Sequence, residues 1–181
     1  MKILILTSPD QWFIPYAKQL QGKLPESNLL YDHSGIDEVY DIVYILSYHK
    51  IIPMEQLAAN RHNIVIHASA LPKGKGWAPM FWQVLEGKNE IPFTMFEASA
   101  GVDDGDIYMQ KTLKLNGFEL NHELRDKQAR FTIEMCLEFV KDYHKHKEPV
   151  KQNGDETFYL KRTVDDSLLD INKTIKEQFN L

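Results

Sequence analysis

Two stretches of this sequence put acid–base groups where they could move protons near neutral pH. Asn63-Ile64-Val65-Ile66-His67 is an apolar, largely β-branched run that ends on a histidine. Asp103-Asp104-Gly105-Asp106 gathers three carboxylates around one glycine. A histidine titrates close to neutrality, and a carboxylate facing it makes a pair able to orient, hold or transfer a proton. A satisfied structural histidine and a turn cluster of aspartates would leave the same pattern, so spacing alone keeps both readings open. A metal-dependent hydrolase using His67 with Asp103 and Asp106 is a rival, but it lacks a second histidine at fixed spacing. Lys73-Gly74-Lys75-Gly76 is basic and glycine-rich, a composition that suits a phosphate, yet it has neither the glycine spacing nor the Lys-Ser/Thr ending of a P-loop. His33 and His122 have no acidic or thiol partner at ligand spacing, and His144 and His146 close a helical stretch where cations suit the dipole.

The surrounding pattern supplies elements to hold these groups. Ile3–Leu6, Asp41–Leu46 and Asn63–His67 read as buried strands, and helical stretches fall at Trp12–Leu20 and, after Pro53, at Met54–Ala59. This alternation predicts an α/β fold, an open, mostly parallel Rossmann-like sheet flanked by helices. A loop follows from Ala68 to Trp77, then a helix from Ala78 to Leu85 with Pro79 in its first turn. A strand is expected at Pro92–Ala98, and an alternating, antiparallel one at Asp106–Leu115. A long amphipathic helix should run from about Glu119 to Tyr143. Ligands of such sheets gather at the carboxyl ends of strands, where the loops Ser47–Pro53, His67–Trp77 and Ala98–Gly105 are expected.

Composition shifts at residues 144–156, which are polar and without periodicity. The chain therefore divides into a catalytic domain, 1–143, a linker, 144–156, and a short strand–helix appendage, 157–181. In the appendage Ile171, Ile175 and Phe179 recur at i, i+4, which predicts a helix whose apolar face packs on the core or on a second copy of the chain, a homodimer. With 181 residues, 43% of them apolar and 26% charged, the chain is long enough to bury a core of its own. One cysteine, Cys136, excludes a disulfide framework and a cysteine-rich zinc site. The net charge of −5 argues against a general nucleic-acid binder. The apolar run Ile3–Leu6 is too short for a signal-peptide core, and no stretch is long enough for a membrane span, so a cytoplasmic protein without membrane contact is expected.

Four ordered motifs between Tyr48 and Ile107 resemble those of the folate-dependent formyltransferase family. They are Ser47-Tyr48-His49-Lys50-Ile51-Ile52-Pro53; His67-Ala68-Ser69-Ala70-Leu71-Pro72; Trp77-Ala78-Pro79 with Gln83-Val84-Leu85-Glu86-Gly87; and Val102-Asp103-Asp104-Gly105-Asp106. The stretch Leu71–Trp77, Phe81-Trp82-Gln83, Thr94–Ala98 and Tyr159-Leu160-Lys161-Arg162 bring the resemblance closest to the small sugar N-formyltransferases. The family's catalytic asparagine lies two residues before the histidine, where this sequence has Val65. Asn63 points to the same side of the strand, about 6.6 Å deeper, and is the candidate replacement.

The resemblance implies transfer of a formyl group from 10-formyltetrahydrofolate, a co-substrate, to the primary amine of a nucleotide-linked amino sugar, 4-amino-4,6-dideoxy in type, with no metal. It implies His67 and Asp103 as catalytic groups, Asp103 orienting His67 and favouring its charged form. His49, Lys50 and Ile51 would form one wall of the folate site, and Ala98, Gly101 and Asp103 the other. Ser69, Lys73, Lys75, Trp77 and Phe81 would receive the nucleotide sugar, the lysines on its diphosphate and the rings on sugar or base. A catalytically impaired binding protein for folate and nucleotide sugar is the alternative that Val65 raises.

Overall fold

A computed structural model describes residues Met1–Leu181. Its centre is a six-stranded sheet built from β1 (Ile3–Leu6), β2 (Asn28–Leu30), β3 (Ile42–Ile45), β4 (Asn63–His67), β6 (Glu90–Glu97) and β7 (Ile107–Lys114). The spatial order is β2-β1-β3-β4-β6-β7. The first four run parallel, β6 is antiparallel to β4, and β7 is antiparallel to β6. The mostly parallel sheet expected from the alternation is therefore present. The edge strand β2 is three residues long and carries no periodic signal.

Strands covered on both faces bury successive side chains to opposite sides. Ile3 and Ile5 join the larger core with Tyr44, Ile64, Met95 and helix residues, whereas Leu4 and Leu6 join Val43, Ile45 and Leu57 on the other side. The larger core lies under α1 (Ile14–Lys23), α3 (Pro79–Leu85) and α4 (Asn121–Lys141), and the smaller under α2 (Met54–Ala59). Pro15 and Pro79 sit in the first turns of α1 and α3, where a missing N–H costs nothing. Glu123 starts α4 by accepting the Leu120 N–H at 2.8 Å. No helix is long and apolar enough to cross a membrane.

A second, two-stranded sheet pairs β5 (Lys75–Gly76) in parallel with β8 (Phe158–Tyr159). The polar segment 144–156 connects α4 to β8. It begins in α5 (Tyr143–His146), and Val150 forms a bridge with Ile107.

The tail departs from the sequence expectation. Residues 170–179 form no α-helix; only 3-10 turns occur, at Asp165–Ser167 and Lys176–Gln178. Ile171 and Ile175 stand almost fully in solvent. Side chains outcompete the helix for the backbone here. Asp170 accepts the Asn172 N–H, Glu177 accepts the Thr174 N–H, and Gln178 both accepts the Asp170 N–H and donates to the carbonyls of Asp170 and Lys173. Asp, Asn and Thr at such positions offer local bonds that replace the i to i−4 ladder.

Candidate active site

His67 ends β4 on the face shared with Val65 and the smaller core, where Tyr48, Ile52 and Ala98 also pack. The acidic loop after β6 was expected at the same end of the sheet. Because β6 runs antiparallel, Glu97 lies beside Ile64, at the start of β4 rather than its end. The loop then folds back, which brings Asp103 Oδ2 to 3.7 Å from His67 Nε2. The two groups are brought together by that return rather than by a common strand end.

Asp103 does not orient His67 through a hydrogen bond. His67 Nε2 lies 2.8 Å from the Gly74 carbonyl oxygen, which can only accept, so the proton sits on Nε2. Nδ1 then makes no hydrogen bond within the chain. Asp103 is fixed separately: its Oδ2 accepts the Gly76 N–H at 2.8 Å, and its backbone is left-handed with φ at 50°. Its other oxygen, Oδ1, has no partner in the chain. Thus Gly74 and Gly76, one residue either side of Lys75, hold the two members of the pair in place.

Lys75 itself is not free for a diphosphate. Its side chain is 2% exposed, and its ammonium donates to Asp104 Oδ1 at 2.8 Å and Glu156 Oε1 at 2.7 Å, with the Phe158 ring 5.9 Å away. Burial alone would lower its pKa, but the two carboxylates outweigh that and raise it above the ordinary lysine value. Lys73, by contrast, is exposed. It lines a cavity of about 330 Å³ with Ser69, Gly74, Gln83, Thr157 and Tyr159. Ser69 is buried there, and its hydroxyl has no partner. A larger cavity of about 720 Å³, under Phe118 and Phe179, is remote from the acid–base pair and made largely of tail residues. Trp77 is half exposed, with the Lys161 ammonium 5.2 Å from its ring. Phe81 packs on the larger core, on the opposite face from His67, with Arg125 5.3 Å from its ring.

Asn63 cannot replace the family amide. It is 3% exposed; its Nδ2 donates to the Leu57 carbonyl at 2.8 Å and to Glu97 Oε1 at 3.1 Å, and its Oδ1 accepts from Asn60. Its backbone N–H also donates to both Glu97 oxygens. Every polar atom of that side chain is committed, to the end of α2 and to Glu97 at the base of the acidic loop. Glu97 extends the network, accepting the Tyr108 hydroxyl at 2.5 Å; that tyrosine reaches His62, which reaches Tyr143. Burial raises the Glu97 carboxyl above the ordinary range, against the hydrogen bonds from Tyr108 and Asn63. Sequence reasoning missed Glu97 because a strand-terminal glutamate reads as a solvated end.

The proposed folate walls are loops with main-chain groups to spare. The amides of Lys50 and Ile51 make no hydrogen bond within the chain, whereas His49 donates its N–H to Ser8 Oγ. Lys50 directs its ammonium away, onto Asp32. Ile51 is exposed, and Gly101 lies so close to the Asp104 side chain that a Cβ would meet it at 2.8 Å. Free backbone donors and acceptors on one side, with Val65, Ile52 and Ala98 on the apolar face below, fit a flat heterocycle with an amide-like edge. No group of three His, Cys, Asp or Glu side chains is arranged to hold a metal ion.

The family profile described as formyl transferase matches residues 28–139, which include both members of the pair. The chain belongs to the formyl transferase family. A methionyl-tRNA formyltransferase of Ehrlichia ruminantium (strain Gardel) is 30% identical over 135 residues, covering 74% of this chain and 44% of its own length. This chain thus spans less than half the length of that relative. The fold matches a methionyl-tRNA formyltransferase from Clostridium thermocellum with a TM-score of 0.79 at 19% identity, over 99% of this chain and 81% of the other. It also matches the formyltransferase PseJ from Anoxybacillus kamchatkensis, solved with UDP-4,6-dideoxy-4-formamido-L-AltNAc and tetrahydrofolate. There the TM-score is 0.63 and the identity 21%, over 88% and 85% of the two chains.

Proposed function

We propose that this formyl transferase moves a formyl group from 10-formyltetrahydrofolate to the primary amine of a nucleotide-linked amino sugar. The observation that carries the reading is the His67–Asp103 pair, 3.7 Å apart, with the free Asp103 Oδ1 and His67 Nδ1 uncommitted. Formyl transfer requires that the amine lose a proton, that charge on the formyl oxygen be stabilised, and that the departing folate nitrogen gain a proton. Asp103 Oδ1 is the acceptor for the amine proton, directly or through a water. When Nδ1 also carries a proton, His67, held by Gly74 through Nε2, supplies positive charge and a transferable proton beside the formyl group. Neither Val65 nor Asn63 offers a side-chain amide there, so His67 carries more of the charge stabilisation than it would beside an asparagine.

The sugar acceptor is supported by the PseJ likeness, by the exposed Lys73 at the cavity and by the exposed Trp77 face. Lys75 and Phe81, both expected at the sugar, are dropped from that role by their packing. A second reading, transfer to initiator tRNA, is favoured by the sequence relatives. Against it, the 26 acidic residues outnumber the 21 basic ones in these 181 residues, whereas binding to nucleic acid draws its affinity from phosphate neutralisation. Assaying the purified protein with 10-formyltetrahydrofolate against nucleotide amino sugars, glycinamide ribonucleotide and charged initiator tRNA decides between them. Preferred turnover of the sugar is expected; preferred turnover of either other acceptor overturns the assignment.

Backbone recognition of the pterin gives a separate prediction. Lys50→Met removes only an exposed ion pair and should leave folate affinity, measured by calorimetry, within about twofold. Ile51→Pro removes a free amide and fixes the loop, and should lower affinity by at least about tenfold. Equal losses from the two changes would contradict recognition through the main chain.

A further inference from the structure

We propose that residues 150–159, which lie outside the stretch matched by the family profile, form a strap that positions the catalytic pair, with Gln152 of the strap and Lys75, which Glu156 of the strap holds, as the positioning residues. The inference rests on the reading of His67 and Asp103 as catalytic. The acidic loop has little structure of its own. From Ser99 to Gly105 no backbone amide donates a hydrogen bond within the chain. What ties the loop down comes from outside it. Gln152 Nε2 donates to the carbonyls of Asp103 and Gly105, both at 2.8 Å, and so clamps the main chain on either side of Asp104. Val150 anchors the start of the strap by exchanging two main-chain hydrogen bonds with Ile107, at 2.7 and 2.9 Å.

The other end of the strap holds the loop that fixes His67. Thr157 accepts the Gly74 N–H on its hydroxyl at 2.8 Å and the Lys75 N–H on its carbonyl at 2.9 Å, and the Tyr159 carbonyl accepts the Trp77 N–H. Gly74 turns its own carbonyl to His67, and Gly76 turns its N–H to Asp103. Lys75, between them, joins Asp104 of the acidic loop to Glu156 of the strap. One ten-residue segment therefore reaches Asp103 directly, through Gln152, and His67 through Gly74 alone. Gln152 is used here as a double donor: its Oε1 is buried without a partner, so the residue contributes clamping more than net stability.

Misplacing a catalytic group by about 1 Å can cost roughly 100-fold in rate while substrate binding elsewhere persists. Gln152→Ala and Lys75→Met should each lower kcat by about 10- to 100-fold, with the KM for the folate donor changed less than about threefold. The Gly76 amide reports the same event without any substrate, because its acceptor is Asp103. Hydrogen exchange followed by NMR should show that amide exchanging at least about tenfold faster in Gln152→Ala, with amides of Ile5 and Met95 in the sheet unchanged. Gln152→Met, which keeps the side-chain volume, should behave as Gln152→Ala does. Unchanged Gly76 exchange in both Gln152 variants would overturn the proposal, as would equal acceleration of the sheet amides, which marks a general loss of stability. A kcat that survives both substitutions would also overturn it. If the wild type transfers formyl to no acceptor, the functional reading fails, whereas the exchange measurement still decides whether the strap holds Asp103.

Discussion

Alanine at His67 or at Asp103 is expected to lower the turnover of formyl transfer by about 10²–10⁴-fold. The two losses should not add: the double variant should be little worse than either single one, because each group works on the same proton inventory. The geometry gives the pair distinct failure modes. His67→Ala removes the imidazole but leaves Asp103 fixed on the Gly76 N–H. Asp103→Ala removes the acceptor for the amine proton while His67 remains on the Gly74 carbonyl. Asp104→Ala should fall between these variants and wild type, since Asp104 touches the pair only through Lys75. Steady-state kinetics over the three variants check the order. If Asp104→Ala is the most damaging, the aspartate assigned to the chemistry is the wrong one.

The second large effect is expected at Gly105. A Cβ there would lie well inside the van der Waals envelope of the Glu97 carbonyl oxygen, which is backbone and cannot swing aside. Gly105→Ala must therefore push the return of the acidic loop away from β6. The Gly105 carbonyl would leave Gln152, and Asp103 would be carried off His67. A kcat loss of about 100-fold is expected, with a far-ultraviolet dichroism spectrum like that of the wild type, because the sheet and helices do not depend on this loop. Gly101→Ala should do less harm than Gly105→Ala but is not silent, since its Cβ would meet Asp104 Cβ at 2.8 Å, an atom that no rotamer moves. Equal activity of the wild type and Gly105→Ala would show that the loop has another conformation in solution.

What the sequence made legible follows from which forces write local patterns. The buried strands at Ile3–Leu6 and Ile42–Ile45 and the long helix were readable because burial on one or both faces dictates composition. The ends of that helix were not, and the expected span of Glu119 to Tyr143 resolves into α4 and the separate turn of α5. His67 and Asp103 could be picked out because the motifs around them resemble those of a formyltransferase, where spacing alone left a structural histidine and a turn cluster equally open. The means by which they meet could not. Strand direction in β6 is set by pairing with β4 and leaves no mark in Pro92–Ala98 that separates parallel from antiparallel. Lys75 shows the same limit: beside glycines it reads as an exposed phosphate ligand, and only the fold reveals Asp104 and Glu156 waiting around it. The periodic Ile171, Ile175 and Phe179 misled for a local reason, the side-chain hydrogen bonds of Asp170, Thr174 and Gln178.

The pairing of β5 with β8 joins Lys75 to Phe158 across more than eighty intervening residues. Such a contact closes a long loop, whose entropic cost grows only slowly with length but must be met before the contact returns anything. A ribosome making this chain releases β1 to β7 and α4 well before β8. The sheet can collapse on the earlier part, since its strand pairs lie entirely within residues 3–114. His67 and Asp103 will both exist by then, yet the Thr157 hydroxyl and the Gln152 amide that steady them will not. The nascent protein thus acquires its architecture first and its chemistry last, so a copy halted just after α4 would be folded but idle.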